Sequence, residues 1–101
     1  MDVTISGFDW DTGNRHKCLK HGVSINEIEA MFGQPLVILA DARHSATEQR
    51  HKAIGKGCGG RSIFIVFTLR RLDRKTFIRP ISARYMHAKE VTHYEKEISG
   101  L

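Results

Sequence analysis

At 101 residues and 11.5 kDa, with 41% hydrophobic and 27% charged residues, the chain has the size and composition of one globular domain, with no room for two independent cores. No run approaches the roughly 18 apolar residues that a membrane helix needs, which excludes a helical membrane protein. A formal charge of +5, from 16 Lys+Arg against 11 Asp+Glu, attracts polyanionic partners, nucleic acid first among them. An unfocused basic surface that only aids solubility is the plain alternative. The opening MDVTISGFDWD lacks a basic region followed by an apolar stretch, so a cytoplasmic address is expected. Cys18 and Cys58 have no CxxC spacing, and no disulfide is expected between them.

Residues 3 to 9 can form a short first strand. The following DWDTGNRHKCLKHGVS is punctuated as a helix, with Asp11 as N-cap and Gly22 as the left-handed residue after its end. Ser24 starts a second helix, with Glu27 completing a capping box and Val23 and Ile28 spaced as a hydrophobic staple. Gly33 and Pro35 stop it. LVILAD, residues 36 to 41, reads as a strand, and the polar ARHSAT leads into EQRHKAIGK and the glycine turn GCGG. SIFIVFTLR is apolar on both faces, with Ile63, Ile65 and Phe67 on one and Phe64 and Val66 on the other, so it should be central. TFIRPISAR returns beside it; Pro80 has no N–H for a ladder, so the strand is there either an edge or bulged. Strict alternation puts Arg79 on a face with Phe77 and Ile81, and Arg84 on the other with Ile78 and Ser82. A last helix, about 86 to 99, aligns Val91, Tyr94 and Ile98 on one stripe. The sum is an α+β domain: two N-terminal helices, a mainly antiparallel sheet of about four strands, and a C-terminal helix packed on it.

Two groups of residues can carry chemistry. Asp41, His44, Glu48 and Arg50 put an acid, a base and a cation within ten positions, and Arg79 and Arg84 deliver guanidinium groups to a strand-to-helix junction. Cleaving RNA without a metal requires a base for the 2′-hydroxyl proton, an acid for the leaving oxygen, and cations for the phosphate charge. His44 or Glu48 can move protons; Arg50, Arg79 and Arg84 can hold phosphate. For Arg79 the structural alternative is an ion pair, with Asp41 or Glu48 as partner. Tyr85 can stack on a base or simply pack. Lys17, Lys20 and His21 close the first helix, where cations complement its dipole, and Lys20 and His21 can also present charge to RNA. Trp10 reads more readily as a packing anchor than as a stacking platform. A metal is not expected: His16 and His21 differ by about 140° around a helix of 3.6 residues per turn.

The segments FDWD, LKHGVS, DARHSATEQRHKAIGK, GGRSIFIVFTLR and IRPISARYMHAKEVTHYE occur in an order that resembles the BrnT family of bacterial toxins, from about Phe8 to Glu95. The resemblance implies a RelE-like α+β fold, a ribonuclease of a type II toxin–antitoxin system that halts translation, and a BrnA-like ribbon-helix-helix antitoxin as partner. DNA would be bound only through that antitoxin. Its motif positions in this chain include Trp10, Asp11, Lys20, His21, Gly22, Asp41, His44, Glu48, Arg50, Arg61, Arg79, Ser82 and Arg84. The expected catalytic set is His44, Glu48, Arg50, Arg79 and Arg84, with Lys20, His21, Arg61 and Tyr85 contacting RNA. A non-catalytic RNA-binding or partner-binding module is the alternative.

Overall fold

The computed structural model describes residues 4–34, 36–41, 49–57 and 59–99, with the side chains of 41 and 97–99 excepted. In chain order the elements are β1 (Ile5–Phe8), α1 (Thr12–Leu19), α2 (Ile25–Met31), β2 (Val37–Asp41), β3 (Arg50–Lys56), β4 (Ser62–Leu72), β5 (Lys75–Tyr85) and α3 (Ala88–Ser99). The fold is α+β, with one more strand in the sheet than expected. The order is β1-β5-β4-β3-β2, with β1 parallel to β5 and every other pairing antiparallel. The doubly apolar β4 occupies the centre, as its sequence requires.

The helix boundaries follow local chemistry. Asp11 Oδ1 accepts the Asn14 N–H at 3.0 Å while Asn14 Oδ1 accepts the Asp11 N–H at 2.7 Å, a reciprocal box. Gly22, at φ 86°, takes the left-handed conformation that lets the chain leave α1. Ser24 Oγ accepts the Glu27 N–H at 3.1 Å to start α2. The Glu27 carboxylate accepts the Tyr85 hydroxyl at 2.6 Å, so this side chain joins α2 to the sheet.

One sheet face packs against α1 and α2. Cys18, Val23, Ile28 and Met31 meet Ala53, Ile63, Ile65, Phe67, Ile78 and Ala83 in one core. A fully buried isoleucine such as Ile28 or Ile65 contributes about 1.5–3 kcal/mol. Phe8, Phe32 and Phe67 extend this core edge to face, with centroids 5.8 and 5.2 Å apart. Trp10 packs against its margin, with Nε1 donating to Glu29 at 3.0 Å. On the opposite face, Val91 and Tyr94 of α3 border a small cavity with Val37, Ile54 and Ser62. That helix therefore covers one end of the second face.

Pro80 sits at a bulge, just beyond the stretch of β5 that β1 pairs, which ends at Ile78. β5 pairs with β4 through Phe67↔Pro80 and then Val66↔Ser82, which leaves Ile81 as the extra residue. The inserted residue reverses the alternation. Cross-strand partners share a face, so Arg79, opposite Thr68, and Arg84, opposite Phe64, lie on the same side of the sheet. The expectation that they occupy opposite faces is thereby corrected: Arg84 keeps Ser82 as a face neighbour, but Ile78 is on the core side.

Candidate active site

On the face away from the main core, one cross-strand row runs through the register pairs Asp41↔Arg50, Arg50↔Thr68 and Thr68↔Arg79. Arg50 and Arg79 therefore flank the central strand, with Thr68 between them. Thr68 is almost fully buried, and its hydroxyl donates to the Gln49 carbonyl at 3.0 Å, fixing the entry into β3. An open cleft of about 560 Å³ lies over this row. Asp11, Thr12, Gly13, Asn14 and Lys17 of the α1 segment form one wall, and Arg50, Thr68, Arg70, Arg79 and Ile81 of the sheet form the other. Among the described residues its lining carries four cationic side chains and one carboxylate, a balance that favours an anionic ligand.

Arg79 is the best-defined of these cations. Its Nη2 donates to Asp11 Oδ2 at 2.7 Å and its Nη1 to Asp9 Oδ2 at 3.4 Å. The structural alternative raised for this residue is met among the described residues by two carboxylates of the FDWD segment, Asp9 and Asp11; Glu48 and the Asp41 side chain lie outside the described part. With Arg79 19% and Asp11 54% exposed, solvent screens the pair, and its main effect is orientation rather than stability. The Asn14 N–H, and then the Arg79 guanidinium, hold the Asp11 carboxyl below its ordinary range. Asp11 in turn raises Arg79, so the guanidinium stays charged throughout the working pH range.

Arg84 shares the face but not the cleft. Phe64 is four strand positions from Thr68, so Arg84 lies about 13 Å along the sheet from Arg79 at roughly 3.3 Å per residue. Its fork is taken up by Glu90, at 2.8 Å on both prongs, and its guanidinium lies 4.8 Å above the Phe64 ring. Arg61 and Tyr85 belong to the opposite, helix-covered side. The Arg61 guanidinium stacks 3.8 Å from the Tyr85 ring centroid, and the Tyr85 hydroxyl is committed to Glu27, which raises its pKa. Lys20 and His21 are exposed just past the end of α1, about one turn beyond Lys17. His44 and Glu48 lie outside the described residues. Asp41 and Gln49, the described positions on either side of them, adjoin Arg50 at the end of the row.

The structure adds Asp9, Asn14, Lys17, Thr68 and Arg70 to the residues at or behind the cleft. For Thr68 and Arg70 a signal was present: they continue the parity of Phe64 and Val66, the side of the central strand that its larger core set leaves. For Asp9 there was none, because its partner is seventy positions away. Among the described residues no group of three or more His, Cys, Asp or Glu side chains could hold a metal ion.

Residues 10–90 match the model of a family described as the ribonuclease toxin, BrnT, of type II toxin–antitoxin systems. No curated protein matches the chain.

Proposed function

The chain belongs to the BrnT family of ribonuclease toxins of type II toxin–antitoxin systems, and on that premise we propose that the cleft between α1 and the sheet is where it cuts RNA. The observation that carries this reading is the row of Arg50, Thr68 and Arg79 under a wall bearing Lys17, which gathers cations from three elements around one open space. Arg79 and Arg50 hold the scissile phosphate and stabilise the charge that develops on it. Either His44 or Glu48 takes the proton of the 2′-hydroxyl; the 2′-oxygen attacks phosphorus, and the bond to the 5′-oxygen breaks as that oxygen is protonated. The products are a 2′,3′-cyclic phosphate and a free 5′-hydroxyl. Fixed guanidinium groups supply the neutralisation that a divalent ion gives elsewhere, so cleavage is metal-independent. Arg84 lies too far along the strand to share that phosphate and instead lengthens the basic face for a flanking part of the RNA. Lys20 and His21 extend it on the α1 side, whereas Arg61 and Tyr85 serve the packing of β5 against α2.

The biological reading is a RelE-like toxin that inhibits translation in the cytoplasm and is neutralised by a BrnA-like ribbon-helix-helix antitoxin. The test is cleavage of RNA by the purified chain in the presence of EDTA, paired with growth on induction. Arg79→Ala should slow cleavage about 10²- to 10³-fold, the loss typical of one transition-state donor, and abolish growth arrest. Arg79→Lys should not restore the rate, because a point charge does not reproduce the fork. Unchanged toxicity from a folded Arg79→Ala chain would sink the assignment. A non-catalytic RNA-binding module would bind RNA with a log–log salt slope of about −0.7 per contacted phosphate and leave it uncut.

A further inference from the structure

Behind Arg79 stands an assembly that the proposed chemistry does not use. Asn14, only 5% exposed, uses both N–H groups and the oxygen of its side-chain amide in hydrogen bonds. Its Nδ2 donates to the Asp9 carbonyl and to the Pro80 carbonyl, both at 2.9 Å, and its Oδ1 accepts the Asp11 N–H at 2.7 Å. One buried amide thus ties both aspartates to the residue that follows Arg79 in the strand. Asp9 is pinned further by its N–H, which donates to the Ile78 carbonyl at 2.8 Å, the residue before Arg79. The two carboxylates then reach the guanidinium from a scaffold fixed on both sides of the arginine.

A surface ion pair has no need of such a scaffold. Exposed pairs contribute little to stability, and Asp11 is more than half exposed. What the arrangement does provide is direction: two of the five guanidinium N–H groups are held by carboxylates, and the other three have no partner among the described residues. From this geometry we infer that Asp9, Asp11 and Asn14 are positioning residues that lock the Arg79 fork in its phosphate-binding orientation before RNA arrives. This rests on the reading of Arg79 as a phosphate ligand. In this role the aspartates act through the arginine, which the double variant below separates from any direct contact of Asp11 with RNA.

Asp11→Asn separates the functions of Asp11, because asparagine caps a helix as well as aspartate but brings no charge to Arg79. Single-turnover cleavage of a short RNA should slow about 10- to 100-fold, with RNA affinity unchanged or tighter and the melting temperature close to that of the parent. Asp9→Asn should act in the same direction. The decisive measurement is the double variant Asp11→Asn/Arg79→Ala, which should cleave no more slowly than Arg79→Ala alone, since a residue acting through Arg79 has no effect once Arg79 is gone. Parental cleavage by Asp11→Asn would reduce Asp11 to a helix cap and overturn the inference. Faster cleavage would overturn it too, by showing that Asp11 masks the arginine. An Arg79→Ala chain with parental activity would remove the site reading itself; slow Arg79→Ala with unaffected Asp11→Asn would remove the positioning role alone.

Discussion

Arg84 and Glu90 join strand to helix through two parallel hydrogen bonds of 2.8 Å, Nη1 to Oε1 and Nη2 to Oε2. Glu90 also accepts the His87 N–H at 3.0 Å, so one carboxylate both starts α3 and fastens it to β5. Arg84 first, and then this backbone N–H, lower its pKa to about 2. A depressed carboxylate contributes stability that is complete above its ordinary value of 4.5 and is lost as pH falls towards about 2. Urea midpoints measured from pH 6 to 2 should fall across that window, and Glu90→Gln should flatten part of the fall. With both side chains about a third exposed, the share removed should be about 1 kcal/mol or less.

Cys18 gives the opposite dependence. It is buried at the junction of α1 and the sheet, and loss of solvent pushes its thiol up to about 11. The folded chain holds the proton more tightly than the unfolded one, so stability is complete below the ordinary value of 9.0 and declines as pH rises towards 11. Thermal melts between pH 8 and 11 should show this decline. Cys18→Ala should remove that component of the slope while lowering stability at neutral pH by about 1–2 kcal/mol through the cavity it leaves.

Gly57 has no room for a side chain. A Cβ there would come within 2.7 Å of both Glu27 Oε2 and Ile63 Cδ1. Gly57→Ala must displace a core methyl or the carboxylate that holds Tyr85, at a cost of about 1–3 kcal/mol in denaturant unfolding. If Glu27 yields, the tyrosine loses the partner that raises its pKa, and an ultraviolet titration of the variant should bring it down towards the ordinary 10.

The β4–β5 hairpin turns on Asp73 and Arg74, at φ 50° and 65°, with Leu72 paired to Lys75. Two positive φ values make this a tight turn whose twist matches the strands, and its second position ordinarily carries glycine. Arg74→Gly should relieve left-handed strain of about 1–2 kcal/mol, offset in part by the freedom that glycine adds to the unfolded chain. A rise in melting temperature, equivalent to about 1 kcal/mol or less, is expected by calorimetry.

Where a residue's neighbours in sequence decide its conformation, the sequence was legible. Asp11 and Ser24 as caps, Gly22 as the exit from α1 and Ile63, Ile65 and Phe67 as a core row all depend on spacings of a few residues. Pro80 announced an interruption because it lacks a donor, but the consequence was hidden. An odd interval between Arg79 and Arg84 means opposite faces in a regular strand and the same face once Ile81 is bulged out. The partners of Arg79 were hidden for a different reason. Asp9 and Asp11 reach it only because β1 pairs in parallel with β5, and such a long-range pairing leaves no periodic trace in a four-residue strand. Lys17 was read as complementing a helix dipole, and only the placement of α1 beside the sheet turns it towards the cleft.

The parallel contact between β1 and β5 also governs when a newly made chain acquires a complete cleft. Its lining runs in sequence from Asp11 to Ile81, and the strand that carries Arg79 is the last of the five to be synthesised. A chain halted before that point has the α1 wall and Arg50 but no guanidinium opposite Asp11, so no prematurely terminated product ending before Arg79 carries the whole cleft. Closing a loop of some seventy residues is slow relative to forming a hairpin. The chain's own topology therefore sets an interval between the start of synthesis and the closing of the cleft.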